Sequence, residues 1–467
     1  MDAPDALVVG AGAAGLAAAL ELRRAGVSVA VVDAGEQPGG VMRSERVGPY
    51  LVERGPNTLL VRAPGLAVLR AAGADSALHP ATPASGLRLL WQDGDLEPVP
   101  TTPWAFARTP LLSARGKLRL LVEPLLRGGD PTGESVAGFM ARRLGHEAVS
   151  ALVGPFLTGI YAGDERELGA EAVFPGLVAL EREAGSIARG ALARALRGRR
   201  AEPGLRGTFS AREGLGALAA ALAHDLGPAL ALRTRVVALA REGGSDAGWR
   251  VETESPDGAR SRRARGVLLA LPAADTAALL APLDPEAAAL ASGIDYAPIV
   301  SLSVAARPDD ARRPVEGFGF LVPRAAGLAV LGCLFMSRLF PERAPADRVL
   351  LTAFLGGVRR RELVEAPEDR LTKLLADDLE RTLGLRSLEP LGLARWPRAV
   401  PQPGCEHPRR IAALRARLAS LPGLALAGAW LDGVSVSDAL ACGARAGRAL
   451  SAALGAETAL EPGVRSV

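Results

Sequence analysis

The 467-residue chain is long enough for two or three domains with substantial cores, and an apolar share of 49% is ordinary for a globular protein. A formal net charge of +4 is too small at this length to argue for nucleic-acid binding. Three scattered cysteines (Cys333, Cys405, Cys442) and four histidines (His79, His146, His224, His407) argue against a disulfide framework, a zinc site or metal catalysis. No run approaches the roughly 20 apolar residues of a spanning helix.

Ala6 to Val9 reads as a short buried strand, and Gly10-Ala11-Gly12-Ala13-Ala14-Gly15 follows at once. An Ala-rich helix over Leu16 to Ala25 and a second buried strand over Val27 to Val32 end in Asp33. A strand, a G-x-G-x-x-G turn, a helix and an acid about twenty residues on form the dinucleotide-binding pattern. Gly10 is expected to permit the tight turn, Gly12 to let backbone approach a pyrophosphate, and Gly15 to let helix and strand pack closely. The helix N-terminus offers free N–H groups to the phosphates, and Asp33 is placed to bond a ribose hydroxyl. Gly39-Gly40 and Arg43 follow, then Glu53-Arg54-Gly55-Pro56-Asn57. A second glycine pair with an arginine resembles the extended fingerprint of FAD enzymes of the amine oxidase-like group. The cofactor is therefore read as FAD, with Arg43 as a charge-assisted donor to the pyrophosphate. No basic n-region precedes the first strand, so a cytoplasmic location is expected.

Residues 99–204 read as helical, with basic residues clustered between Arg108 and Arg200. Leu111 to Leu126 is amphipathic, with Arg115, Lys117 and Arg119 among leucines; it suits a helix buried on one side or one lying on a membrane surface. Gly214-x-Gly216-x-x-Ala219 imitates a second dinucleotide turn, but no apolar strand is read before it, so a helix start is expected instead. Strands follow over Val236 to Leu239, Trp249 to Glu254 and Gly266 to Leu271. Ile299 to Ala305, Phe318 to Val322, Leu328 to Phe335 and Val349 to Phe354 suit an open sheet. The C-terminus reads as a strand from Leu424, a loop over Gly433 to Asp438 and a helix over Ala439 to Leu454. The fold class is mixed α/β. A Rossmann-like FAD domain is expected from 1–80, 205–275 and 415–467, a mixed-sheet substrate domain from 81–98 and 276–414, and a helical, membrane-associating domain from 99–204.

Further motifs carry a closer resemblance: Gly55-Pro56-Asn57, Gly159-Ile160-Tyr161-Ala162-Gly163-Asp164, Phe174-Pro175, Gly317 to Pro323, Phe354-Leu355-Gly356-Gly357 and the loop Gly433 to Asp438. Together, nearly end to end, they resemble the oxygen-dependent protoporphyrinogen oxidases. The resemblance implies that Gly10, Ala11, Gly12, Ala13, Ala14, Gly15, Asp33, Ala34, Gly39, Gly40, Arg43 and Gly55, Pro56, Asn57, Thr58 line the FAD. It places Val236 at the adenine, Trp396 beside the cofactor, and Val434, Ser435 and Val436 at the isoalloxazine end. It implies that Arg88 meets a substrate propionate and that Gly159, Leu321, Leu334 and Phe354 wall the porphyrinogen pocket. The implied partners are a porphyrinogen and O2, with peripheral attachment to the inner face of the cell membrane and a homodimer left open.

The sequence departs from that family at Pro401 to His407, at Ser437-Asp438-Ala439 and at Leu431. These departures bear on the pocket edge and so on substrate preference. With no second nucleotide turn, Cys-x-x-Cys pair or nucleophile constellation, the chemistry falls to the flavin. Coproporphyrinogen III, an amine, or a binding role without turnover stay open as alternatives.

Overall fold

A computed structural model describes residues 4–197, 204–243 and 248–455. The expected segment limits at 1, 204 and 467 fall on or beside residues outside that range, and Arg200 lies outside it too.

Four short apolar strands, Ala6–Val9, Val29–Val32, Gly266–Leu269 and Leu424–Leu426, join Leu230–Ala231 in a five-stranded parallel sheet. Ala6–Val9 lies at its centre, flanked by Gly266–Leu269 and Val29–Val32. Its residues and those of Gly266–Leu269 are buried throughout, as continuous apolar runs in a covered parallel sheet should be. The first helix, Ala13–Arg24, starts three residues earlier than its leucines suggest, because Ala13, Ala14 and Gly15 form its first turn.

The closing helix, Val436–Ala453, lies along the first. A Cβ on Gly443 would overlap the Ala14 carbonyl, and one on Gly447 would come within 2.6 Å of the Ala18 carbonyl oxygen. Contacts that advance together along both chains make the two helices parallel, so both N-termini point the same way. The closing helix also starts earlier than expected, which puts Val436 in its first turn rather than in a loop.

A seven-stranded sheet runs in the order Glu389–Pro401, Tyr296–Ala306, Val349–Gly356, Val330–Phe335, Gly319–Leu321, Arg88–Gln92, Asp95–Pro98. It is antiparallel except where Gly319–Leu321 runs parallel to Arg88–Gln92. Val300, Leu302, Phe320, Cys333, Leu351 and Ala353 cover one face and pack on Leu371, Leu375 and Leu379 of the helix Glu368–Leu383. The other face bears the candidate site.

Several strands escaped the sequence reading, and two of them are long. Glu389–Pro401 contains three prolines and a glycine, which an edge strand tolerates. Gly258–Ala264 is the edge of a three-stranded sheet with Arg235–Glu242 and Gly248–Ser255, and its charges hid it. A short strand, Phe209–Ala211, does precede the Gly214 turn, but it pairs antiparallel with Leu78–Pro80.

Among the described residues, 99–197 form helices and turns without a named strand. The amphipathic stretch breaks into a buried turn at Leu111 and Leu112, the helix Ala114–Leu121 and a 3-10 turn, Glu123–Leu125. Buried Glu123 accepts from the Arg143 guanidinium, from Ser186 Oγ at 2.7 Å and from the amide of Ala188 at 3.1 Å. It thereby caps the helix Ile187–Leu196. No helix among the described residues is long and apolar enough to cross a membrane.

A second buried ion pair joins distant segments. Arg343 Nη2 donates to Glu53 Oε1 at 2.9 Å and to Ser210 Oγ at 2.6 Å, with both charged side chains inaccessible to solvent. Glu53 also accepts from the amide of Leu215 and from Ser44 Oγ. Burial pushes its carboxyl up, against the pull of Arg343. Arg343→Leu leaves that carboxylate without its counter-charge and should cost about 3–5 kcal/mol in urea denaturation. Arg233→Leu, which removes an exposed pair with Glu36, should cost under about 1 kcal/mol.

Candidate active site

The glycine turn has the expected shape. Gly10 adopts φ +103, and a Cβ there would come within 2.6 Å of the Ala270 carbonyl oxygen. A Cβ on Gly15 would overlap the Gly10 carbonyl, so helix and strand meet backbone to backbone. Gly12 differs: a Cβ there would meet nothing within 4 Å. The space beside it is a cradle bounded by the Gly39-Gly40 turn, whose Gly39 amide donates to the Ala11 carbonyl at 2.7 Å. Gly12 caps the first helix without a side-chain hydrogen bond, and no acidic residue stands in the first turn, so the helix N-terminus is left for an anion.

Asp33 closes the turn. Its carboxylate accepts from the Ala11 and Gly35 amides, each at 2.6 Å, and Ala34 beside it is exposed. The amide of Thr234 donates to the Asp33 carbonyl at 2.7 Å, which brings the start of the Val236 strand alongside. Arg43 is exposed at the rim of the cradle. Its Nε donates to the Gly40 carbonyl at 3.0 Å and its guanidinium lies 5.9 Å from the Trp396 ring.

The Gly214 turn imitates the first one without its vacancy. The Leu215 amide is taken by Glu53 Oε1 at 3.0 Å and that of Gly216 by Ser44 Oγ at 2.9 Å. That helix end is filled from within the protein.

The segment Gly55 to Thr58 leaves the cradle between Val41 and the large sheet. A Cβ on Gly55 would overlap the Val41 carbonyl, and Pro56 and Thr58 are half-buried. Asn57 is buried; its Nδ2 donates to the Gly55 carbonyl at 3.0 Å, but its Oδ1 has no partner. An orphaned buried acceptor beside an open glycine cradle fits a ligand that brings its own donors. Trp396 is fixed against the same segment by its indole N–H, which donates to the Arg54 carbonyl at 2.7 Å.

Strand register gathers the remaining candidates. Leu321 pairs with Gly332, Gly332 with Phe354, and Phe354 with Ser301. Two residues along, Arg88 pairs with Gly319 and Gly319 with Leu334; two the other way, Gly356 pairs with Ile299 and Ile299 with Trp396. Because side chains alternate, Arg88, Leu321, Leu334, Phe354, Ser301 and Trp396 share the face away from the packed helix. Gly159 meets it from the helix Gly154–Tyr161: a Cβ there would lie 2.6 Å from Leu321 Cδ2. Phe156 and Ile160 on that helix are exposed, and the Phe156 ring stacks on that of Phe174 at 6.5 Å. Neither was read as a site residue, although their i, i+4 spacing places them on one helical face.

Arg88 is exposed, with its guanidinium 5.1 Å from the Phe318 ring. No carboxylate lies within 4.0 Å of it among the described residues, whereas Arg324 and Arg359 are tied to Asp164 and Glu165.

Val434 and Ser435 lead into the closing helix. Ser435 Oγ accepts from the Asp438 amide at 3.1 Å and donates to its carboxylate, which also pairs with Arg62 at 2.7 Å. The parallel helices fix how far this end reaches. Seven residues separate Val436 from Gly443, against one between Ala13 and Ala14, so the closing helix projects about 9 Å further at 1.5 Å per residue. Tyr161 stands near Asp438, and its phenol is pushed up to about 12, chiefly by burial. The structure thus brings together two helix ends, one open cradle and one apolar sheet face that carries a free guanidinium.

That arrangement is the architecture of a flavin-dependent oxidoreductase, and comparison with known proteins gives the family. The chain belongs to the flavin containing amine oxidoreductases, whose family profile matches residues 13–451. Within that family it is 32% identical over 459 residues to the chloroplastic protoporphyrinogen oxidase of Oryza sativa subsp. japonica, covering 92% of this chain and 85% of that protein. It is 30% identical over 493 residues to a coproporphyrinogen III oxidase of Propionibacterium freudenreichii, covering 94% and 90%. Its fold matches a crystal structure from Exiguobacterium sp. 255-15, provisionally assigned as a protoporphyrinogen oxidase, with TM-score 0.77, 27% identity and coverage of 96% and 98%. The chain is an oxidoreductase, and its cofactor is FAD.

Gly12→Val puts a side chain into the cradle without striking any protein atom within 4 Å of its Cβ. The variant should fold and melt like the apoprotein while purifying without visible flavin absorbance. Gly15→Ala, by contrast, should yield little folded protein.

Proposed function

We propose that this chain is an oxygen-dependent protoporphyrinogen oxidase, oxidising protoporphyrinogen IX to protoporphyrin IX. The observation that carries the reading is Arg88. It is a guanidinium with no carboxylate partner among the described residues, on the sheet face that bears Leu321, Leu334, Phe354 and Trp396. A large apolar ring with carboxylates at one edge needs an apolar wall and an anchoring cation. An ammonium substrate would be repelled by the same cation.

When bound, FAD would supply the hydride acceptor and the route of each electron pair to O2, and three such rounds would remove six electrons and release three H2O2. The protein has three tasks in this reading. Arg88 grips a propionate; Leu321, Leu334 and Phe354 exclude water; Gly159, having no side chain, leaves room for the ring over Leu321. The loop Gly10 to Gly15, Asp33 with Ala34, Gly39, Gly40, Arg43, Gly55 to Thr58, Val236 and Val434 to Val436 hold the cofactor. The division into FAD, substrate and helical domains belongs to the same proposal.

Coproporphyrinogen III is the second reading, favoured by the likeness to the Propionibacterium enzyme. With Arg324 and Arg359 already paired, Arg88 is the guanidinium on this sheet face without a carboxylate partner among the described residues, which suits two propionates better than four. Anaerobic loading with each porphyrinogen, then admission of oxygen and detection of porphyrin fluorescence, decides between them. Higher kcat/KM with protoporphyrinogen IX is expected.

Peripheral attachment to an anionic membrane, on the inner face of the cell membrane, is part of the proposal; a homodimer stays open. Leu118, Leu121, Leu125, Leu192 and Leu196 are each at least 60% exposed, and they project from adjoining helical elements beside exposed Arg115, Arg127, Arg189 and Arg197. Each such arginine near an anionic surface contributes about 1 kcal/mol, weakened by salt. Vesicles containing anionic lipid should retain the protein at low salt and release it at high salt. Failure to bind at low salt would overturn the membrane claim.

Arg88→Ala should lower kcat/KM for protoporphyrinogen IX about ten- to a hundredfold, the loss of roughly 1.5–3 kcal/mol for a charged hydrogen bond. Its flavin content should not change. Unchanged kinetics would make Arg88 an ordinary surface residue.

A further inference from the structure

We infer that the hydroxyl of Ser301 is a hydrogen-bonding contact of the bound flavin, made directly or through one water, and so a positioning residue of the cofactor site. The inference rests on the FAD assignment and is independent of which porphyrinogen is oxidised. Ser301 is 4% exposed, and its Oγ has no hydrogen-bond partner. A buried hydroxyl left unpaired costs about 1–3 kcal/mol, so its persistence calls for a partner.

Among the described residues the chain offers none nearby. Ser301 has Phe354 on one side and Ala394 on the other, and neither side chain can hydrogen-bond. In the next row Ser303 and Thr352 satisfy each other at 3.3 Å. In the row on the opposite side stand Ile299, Gly356 and Trp396, and the Trp396 indole N–H already serves the Arg54 carbonyl. Strand pattern does not ask for a hydroxyl either. Val300 and Leu302, which point the other way, are ordinary core residues, and an alanine would fit the sheet equally well.

The missing partner lies in the direction of the cofactor. Trp396, two residues along the face, is pinned to the segment that carries Asn57, whose Oδ1 is also buried and unpaired. Gly356 and Gly332 leave the neighbouring positions without side chains. One orphan is an acceptor and the other can donate or accept. A flavin ring edge, which carries one N–H donor between carbonyl and ring-nitrogen acceptors, can satisfy both.

The test compares apoprotein with holoprotein in Ser301→Ala. Removing an unpaired hydroxyl should leave the apoprotein melting at or above the wild-type temperature. Removing a flavin contact should weaken FAD binding about tenfold, the equivalent of about 1.4 kcal/mol, with a smaller FAD-induced rise in melting temperature and shifted visible absorption bands. Ser301→Thr, which keeps the hydroxyl, should bind FAD within about threefold of wild type. Unchanged FAD affinity and spectrum in Ser301→Ala would overturn the inference. So would an equal loss of stability in apoprotein and holoprotein, which would mark a merely structural hydroxyl. Wild-type protein that takes up no FAD would instead overturn the flavin assignment, and the two failures are distinguishable.

Discussion

The contact between the first and last helices is the constraint on which the cofactor site depends. Gly443 lies against the Ala14 carbonyl and Gly447 against that of Ala18, a spacing of four that puts both on one helical face. Side chains there would push the axes apart. Without them the helices lie parallel and close, and their two N-terminal ends face the same region with a fixed offset. The first end meets the cradle at Gly12. The second, capped by Ser435 and carrying Asp438, reaches further along. The spacing of the two ends is set by this backbone contact.

The same logic explains why one glycine turn is open and the other is closed. Both begin a helix, yet the first has an empty approach and no acid in its opening turn, while the second is occupied by Glu53 and Ser44. Glu53 is in turn held by Arg343, so the imitation turn acts as a structural joint. A helix N-terminus is a site only where the protein has not already supplied its anion.

Much of this was legible in the sequence, for identifiable reasons. The cofactor turn was legible because Gly10, Gly12 and Gly15 answer to separate local demands of conformation, access and packing. The residues expected to wall the pocket were named only through the family likeness. Period-two alternation marks the strands, but register decides that Leu321, Gly332, Phe354 and Ser301 form one row, and register is a long-range property. The strand carrying Trp396 was hidden by Pro390, Gly392, Pro397 and Pro401, residues tolerated because that strand is an edge. The part played by Gly443 and Gly447 comes from the helix they pack against, which no local pattern announces.

The sheet divides its labour by face. Odd and even residues of Tyr296–Ala306 point to opposite sides. Val300, Leu302 and Val304 anchor the sheet on a helix, which frees Ile299 and Ser301 to meet whatever lies over the other side. At one end of that second side, Ala305 and Leu350 pack against Tyr50, Val52 and Phe340. At the other end packing gives way to glycines, an unpaired hydroxyl and half-buried apolar side chains. Stability therefore comes from one face and one end of the sheet. The remaining quarter is kept incompletely packed, and that is where polar orphans such as Ser301 and Asn57 can be tolerated until a ligand completes them.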